Sequence, residues 1–406
     1  MNKMSFRFLW IGQTFANAGD VLYIVGLITM IYHLTGSAIY MALVPFFITM
    51  SQFLSGLIAP LLIDKYRLKH ILAYSQSGKT LLLLGLGLML LSNYSNQMIP
   101  IFLLVFLISF LDGWSTPAQN SMVPLLIPSG ELVKANSFLS ILDQTVRLGG
   151  WSVGGILVAF WGSIYVITIT FALYLLSSFM MFLIRETDFI NSNDSKEEKN
   201  PIGNWEKLIQ GWILIWKSPA LRTVNIMGVM EALANTVWVA AILYIYVDVV
   251  LHAGEQWWGY INASFFLGLI LGGILSLRFS ELIGKRLSVV IVYGTLLGSF
   301  FTFMFAMNSL TWIALGLSIF IGFSEQLKGI AQQTTIQKSA TLKELPKVYS
   351  AQYALYLVTY GTAVLLIGIL TEFWGVRNSF LLAAGLLFLS FVVSLVNQKH
   401  LKEVEQ

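Results

Sequence analysis

Charge is what this sequence has least of. Only 11% of its 406 residues are Asp, Glu, Lys or Arg, against 57% hydrophobic, and the mean hydropathy is +0.76. A water-soluble domain carries roughly 25% charged residues, so this composition cannot dress a soluble surface. Cysteine is absent, which excludes disulfides, thiolate metal centres and cysteine nucleophiles. The four histidines (His33, His70, His252 and His400) are widely separated and none stands in HExxH spacing. No metal site, cofactor or nucleic-acid partner is expected. No nucleophile–base constellation points to an enzyme.

Long apolar runs are what the sequence does have. A membrane-spanning helix needs about 20 mostly apolar residues. Twelve stretches qualify, near 6–32, 38–63, 70–92, 98–122, 134–160, 163–184, 220–248, 256–279, 287–307, 310–335, 349–372 and 377–396. The reading is an all-α membrane protein with twelve transmembrane helices in two pseudo-symmetric six-helix halves. The 33 glycines and 12 tryptophans suit such a bundle, since Gly permits close helix contact and Trp marks interfaces. The segment after Trp10 is too polar for a cleaved signal peptide.

The domain boundaries follow from the one long polar link, ETDFINSNDSKEEKNPIGNWEKLIQ. Residues 1–185 form an N-terminal half and 220–406 a C-terminal half. The linker, 186–219, ends in an amphipathic helix, NWEKLIQGWILIWKS, suited to lie in an interface. Shifting the chain by 213 residues lays ELVKANS (131–137) on ELPKVYS (344–350) and Asp112 on Glu325. The halves therefore read as parallel repeats, with span 4 answering span 10. With the N-terminus inside, Arg377 alone among 24 Lys and Arg residues falls outside, while Lys79, Arg147 and Lys328 lie within spans. That bias places both termini in the cytoplasm of a multi-pass plasma-membrane protein.

The stretch GWSTPAQNSMVPLLIPSGELVKANS, with WIGQTFANAGD and LTGSA near the start, resembles the major facilitator superfamily. It is most similar to the macrolide-efflux-like branch of drug:proton antiporters. The resemblance implies gating and antiporter motifs, present here in altered form. After span 2 the chain reads PLLIDKYRLKH, keeping Asp64 with Lys65 in place of Arg. In span 5 the motif becomes Gly150-Trp151-Ser152-Val153-Gly154-Gly155, where Trp removes the expected proline kink.

One motif points elsewhere. AYSQSGKT (73–80) fits the loose form of a phosphate-binding loop, but no soluble nucleotide domain surrounds it. Lys79 is expected instead to snorkel to the inner interface.

Charges at membrane depth usually face a cavity or a partner. The candidates for proton coupling or substrate are Asp20, Asp112, Glu231 and Glu325. Asp143 with Arg147 and Glu325 with Lys328 are spaced to share a helix face, and Arg147 has Asp112 as an alternative partner. Asp20, Asp112 and Glu231 have no partner nearby in sequence and read as unpaired acids able to exchange protons. Asp20 and Glu231 are expected to face each other across a central cavity. Asn17, Tyr23, Trp114, Gln144, Asn235 and Trp238 are candidates for its lining, which suits an amphipathic or cationic molecule. The expected function is proton-coupled export of a small organic molecule by alternating access, from a monomer in the lipid bilayer. The alternatives are a dedicated exporter of a metabolite such as a siderophore or metallophore, and a non-transporting membrane sensor.

The orientation is open to direct test because the chain has no native cysteine. Single cysteines at Asn96 and Glu255 should react with an impermeant thiol reagent from outside, and those at Ser195 and Lys343 should not. Labelling at Ser195 from outside reverses the topology.

Overall fold

The computed structural model describes residues 3–36, 38–91, 98–185, 204–238 and 240–405. Most of the linker, with Ser195, and Asn96 lie outside them. Among the described residues the secondary structure is helical throughout, without a strand. The first six helices are α1 (Lys3–Thr35), α2 (Ala38–Lys65), α3 (Leu68–Leu91), α4 (Met98–Leu126), α5 (Leu132–Trp161) and α6 (Ser163–Phe182). The linker helix is α7 (Asn204–Lys217). There follow α8 (Pro219–Asn235), α9 (Ala240–Val249), α10 (Gln256–Arg278), the short α11 (Ser280–Gly284) and α12 (Leu287–Met307). Then come α13 (Thr311–Ser339), α14 (Leu345–Trp374), α15 (Val376–Val396) and the terminal α16 (Gln398–Glu403).

A helix lies on each of the twelve expected spans. Among the described residues nine helices are long and apolar enough to cross a membrane, and α8 with α9, bent by 50°, make a tenth. The remaining two, α3 and α5, have spanning length at 24 and 30 residues. Their apolar character is interrupted by YSQSGKT in α3 and DQTVR in α5.

Polar residues inside the spans are satisfied largely by their own helix. Thr170, Thr295, Ser318 and Thr334 each donate to the carbonyl four residues back, the usual solution for a hydroxyl that has no water to bond. Glycines set the closest crossings. A Cβ on Gly272 of α10 would lie 2.7 Å from the Phe323 carbonyl oxygen of α13, and one on Gly322 of α13 would strike the Phe265 carbonyl.

The chain forms two compact units. The first comprises Met1–Pro128, Thr145–Gly211 and Leu342–Ala354, and the second Ser129–Gln144, Trp212–Thr341 and Leu355–Gln406. Each unit thus holds most of one helix set plus a short piece from the other, and the two pieces correspond under the 213-residue repeat. They contain the ELxKxxS stretches. In the first unit Lys347 pairs with Asp64 at 2.8 Å and donates to Gln210 of α7 at 2.8 Å. In the second, Asn136 donates to Gln337 at 2.7 Å and to Thr334 at 3.0 Å.

The repeat is sharpest at the α5–α6 and α14–α15 turns. Phe160-Trp161-Gly162 and Phe373-Trp374-Gly375 correspond under the same shift, and all four aromatics are exposed. Gly162 and Gly375 take φ 83° and 82°. With ψ of 163° and 152°, both occupy a backbone region essentially closed to residues with a Cβ. Gly162→Ala or Gly375→Ala should therefore cost about 1–3 kcal/mol, read as a lower thermal midpoint of purified protein. Gly155→Ala, at a mid-helix position where a Cβ meets nothing within 4 Å, should not lower the midpoint, since Ala is the better helix former.

Candidate functional site

Helix length fixes where the charged side chains fall. Asp112 is the fifteenth of 29 residues in α4, and Glu325 is the fifteenth of 29 in α13. Asp20 lies at the centre of α1 and Lys79 at the centre of α3. About 17 Å of helix separates Lys79 from either end of α3, farther than a four-carbon stem reaches. Lys79 does not snorkel, which corrects the sequence-based expectation. Its side chain is 2% exposed, and its ammonium sits 2.7 Å from Asp20 and 2.6 Å from Asp112.

Two glycines stand beside this meeting. A Cβ on Gly78 would lie 2.8 Å from a terminal methyl of Leu111 of α4, beside the Lys79–Asp112 pair. A Cβ on Gly19 would lie 2.6 Å from the Tyr174 ring of α6. That space lets the Tyr174 hydroxyl donate to Asp20, while the Lys79 ammonium lies 4.7 Å from the Tyr174 ring centre. Trp114 donates to Ser75 at 2.6 Å. Tyr23 is buried, and its hydroxyl has no hydrogen-bond partner among the described residues.

A second cluster occupies the other unit. Lys328, also 2% exposed at the side chain, lies 2.6 Å from Glu325 and 3.1 Å from Glu231 of α8. Glu231 further accepts from Gln332 at 3.2 Å and from Ser390 of α15 at 3.0 Å, and Asn235 donates to Glu325 at 3.5 Å. Gly294 of α12 provides the room, since a Cβ there would come within 3.0 Å of the Lys328 Cβ.

Asp20, Asp112 and Glu231 are thus ion-paired, contrary to their expected unpaired state, and the cations number three once Lys79 is included. Asp20 and Glu231 belong to different units, each with its own lysine. The ammonium partner of Asp112 is Lys79, and Arg147 is exposed. Asp143 and Gln144 lie on the second-unit part of α5 and Arg147 on the first-unit part. Asn17 accepts from Gln13 at 2.7 Å. Trp238 is packed in an aromatic cluster, stacked on Phe265 and edge-on to Phe305 and Phe380. Gly150 and Gly154 pack on Val21 and on Leu22 with Val25 of α1, whereas Gly155 makes no close approach. Lys65 stands 5.3 Å from the Tyr66 ring centre. Reading the sequence missed Lys79, Tyr174, Gln332 and Ser390. The central position of Lys79 in its span was the available signal.

In both clusters the ammonium is enclosed and the acids are more open. Side-chain exposure is 34% for Asp20, 20% for Asp112 and 28% for Glu325, with Glu231 at 7%. Among the described residues no three His, Asp or Glu side chains gather as a metal-ligand set.

Long apolar helices in two repeat-related sets, with charge clusters at mid-helix, define a multi-pass membrane transporter. The family model of the Major Facilitator Superfamily matches residues 9–351 and again 224–405. The chain is 30% identical over 407 residues to the MFS-type transporter YfmI of Bacillus subtilis, covering 100% of this chain and 99% of that one. It is 24% identical to YjbB of the same organism, over 98% and 96% of the two chains. Its fold is similar to a bacterial homologue of the iron transporter ferroportin in an outward-facing state, with TM-score 0.76, 12% identity, and 97% and 99% coverage. It is equally similar to the E. coli fucose:proton symporter FucP, with TM-score 0.76, 14% identity, and 97% and 98% coverage. The chain belongs to the Major Facilitator Superfamily. It is a secondary transporter and not an enzyme.

Removing one member of a buried ion pair strands its partner, at a cost of about 3–5 kcal/mol. Lys328→Met should therefore lower the thermal midpoint and yield of purified protein sharply. Adding Glu231→Gln should recover part of the loss, because one acid fewer remains unpaired. Equal midpoints for the single and double variants would show that the cluster carries no electrostatic coupling.

Proposed function

We propose that this transporter exports a small amphipathic or cationic organic molecule in exchange for protons, through the plasma membrane and with both termini cytoplasmic. The observation that carries the reading is a charge imbalance. Each cluster sets two carboxylates against one ammonium. One negative charge per cluster is left over, at a depth where bare charge is costly. A proton neutralises it, and so does a cationic group on a substrate. The two exclude each other, and mutual exclusion at one site is the requirement for antiport.

The cycle follows from that competition. A proton arriving from outside releases an outward-carried cation, and deprotonation towards the cytoplasm restores the site for the next one. Alternating access by the two six-helix halves supplies the exchange of sides. The resemblance to the macrolide-efflux-like branch supports the same direction, as does the Lys/Arg bias for the orientation. A monomer suffices, since each unit carries a complete cluster. The enclosed lysines weigh against an anionic cargo such as a metallophore, which would have to displace a carboxylate from an ammonium that is 2% exposed. The Lys347–Asp64 pair with Gln210 supports a gating role for the loop after α2.

Reconstituted protein with an imposed pH gradient and a lipophilic cation such as ethidium tests the reading. Asp20→Asn and Glu231→Gln should each abolish gradient-driven transport while counterflow exchange without a gradient survives. Normal driven transport in both variants removes the proton role from these acids. Driven transport of neutral or anionic compounds alone removes the substrate class.

A further inference from the structure

The two clusters reach the same charge by different routes. Their acids stand on repeat-related helices, Asp20 and Glu231 on α1 and α8 and Asp112 and Glu325 on α4 and α13. Their lysines do not correspond. Lys79 comes from α3, where the shifted position in α12 is Val292, whereas Lys328 sits on α13 itself, where the shifted position in α4 is Ser115. The first cluster therefore joins three helices through its ammonium, and the second joins two. What the halves share is the ratio of two carboxylates to one ammonium, not the place of the lysine.

We infer that Lys79 sets the proton capacity of the first cluster at one. Its ammonium permanently balances one of Asp20 and Asp112, so the pair exchanges a single proton rather than two. A variant lacking Lys79 gains a second exchangeable proton. This assignment rests on the proton-coupled reading for its place in the transport cycle, but not for its test. The titratable and charged groups around the cluster are Asp20 and Tyr23 on α1, Lys79 on α3, Asp112 on α4 and Tyr174 on α6. Arg147 stands on α5 one turn before Gly150, whose packing on Val21 brings α5 against α1. It is the rival source of positive charge. The α2 charges, Asp64 and Lys65, lie at the last turn of that helix.

The experiment counts protonated carboxyl groups by infrared difference spectroscopy of purified full-length protein. The pH is stepped from alkaline to weakly acidic, staying above the range near 4 in which solvent-exposed carboxylates titrate. A Glu231→Gln background leaves the second cluster with one acid to one ammonium and hence silent. In that background the cluster should give one carboxylic C=O band. Asp20→Asn and Asp112→Asn should each remove it completely, because either leaves one acid matched to Lys79. Adding Lys79→Gln to Asp112→Asn should bring the band back. Lys79→Gln with Ser115→Lys, which moves the lysine to the arrangement of the other half at unchanged net charge, should again give one band. This last variant keeps the test decisive if Lys79→Gln alone fails to fold. The proposal is overturned if the band survives Asp112→Asn, or if Arg147→Gln rather than Lys79→Gln restores it. No substrate enters the measurement. Bands that behave as expected beside an absence of gradient-driven export would leave the Lys79 assignment standing and remove the antiport reading; the opposite result would do the reverse.

Discussion

An ammonium held between two carboxylates in the middle of a helical bundle is the constraint on which the rest of this structure depends. Each ion taken from water costs several kcal/mol unless its partners are close and well directed. Lys79 and Lys328 meet that condition by complete enclosure, each within 3.1 Å of two acids. Enclosure requires helices to come closer than side chains normally allow. The bundle supplies this through glycines beside the charges: Gly19 next to Asp20, Gly78 next to Lys79, and Gly294 across from Lys328. Packing and electrostatics are thus one arrangement here. A methyl group at Gly19 would meet the Tyr174 ring, and one at Gly294 the Lys328 Cβ, so both would press on members of the clusters themselves.

The same arrangement leaves a charge unmatched, and the proposed antiport turns on it. A fully matched pair would be inert, a means of tolerating buried charge and nothing more. In each cluster two acids share one base, and the proposed exchange of proton for cation rests on that ratio. Tyr174, Gln332, Ser390 and Asn235 direct hydrogen bonds at the carboxylates.

The repeat shows which features the architecture holds in common between its halves. The left-handed Gly162 and Gly375, the aromatic pairs before them and the ELxKxxS segments all recur at one offset. The acids of α4 and α13 recur at identical helix positions. The lysines do not, and so the ratio of charges is common to the two halves while its route is not.

The sequence by itself determined the fold class, because apolar run length and Lys/Arg placement are properties of composition along a line. Twelve spans, their ends within a few residues, and the two-fold repeat were legible from ELVKANS against ELPKVYS and from Asp112 against Glu325. The mid-span acids were legible too, since a charge inside an apolar run needs no coordinates to stand out. Their pairing was decided only by the tertiary structure. Lys79 is 59 residues from Asp20 and 33 from Asp112, and helical periodicity relates only neighbours three or four residues apart. Lys328 could be matched to Glu325 on one helix face, but not to Glu231 on another helix. The spurious nucleotide motif around Lys79 hid the point further, because SGKT read in one dimension suggests phosphate. Folded into α3, which packs against α4 and α6, its lysine reaches carboxylates on α1 and α4, and the physical reason is the shortage of charge that marks the whole chain. With so few ions inside an apolar bundle, each is driven to the nearest opposite charge that the helix packing brings within reach.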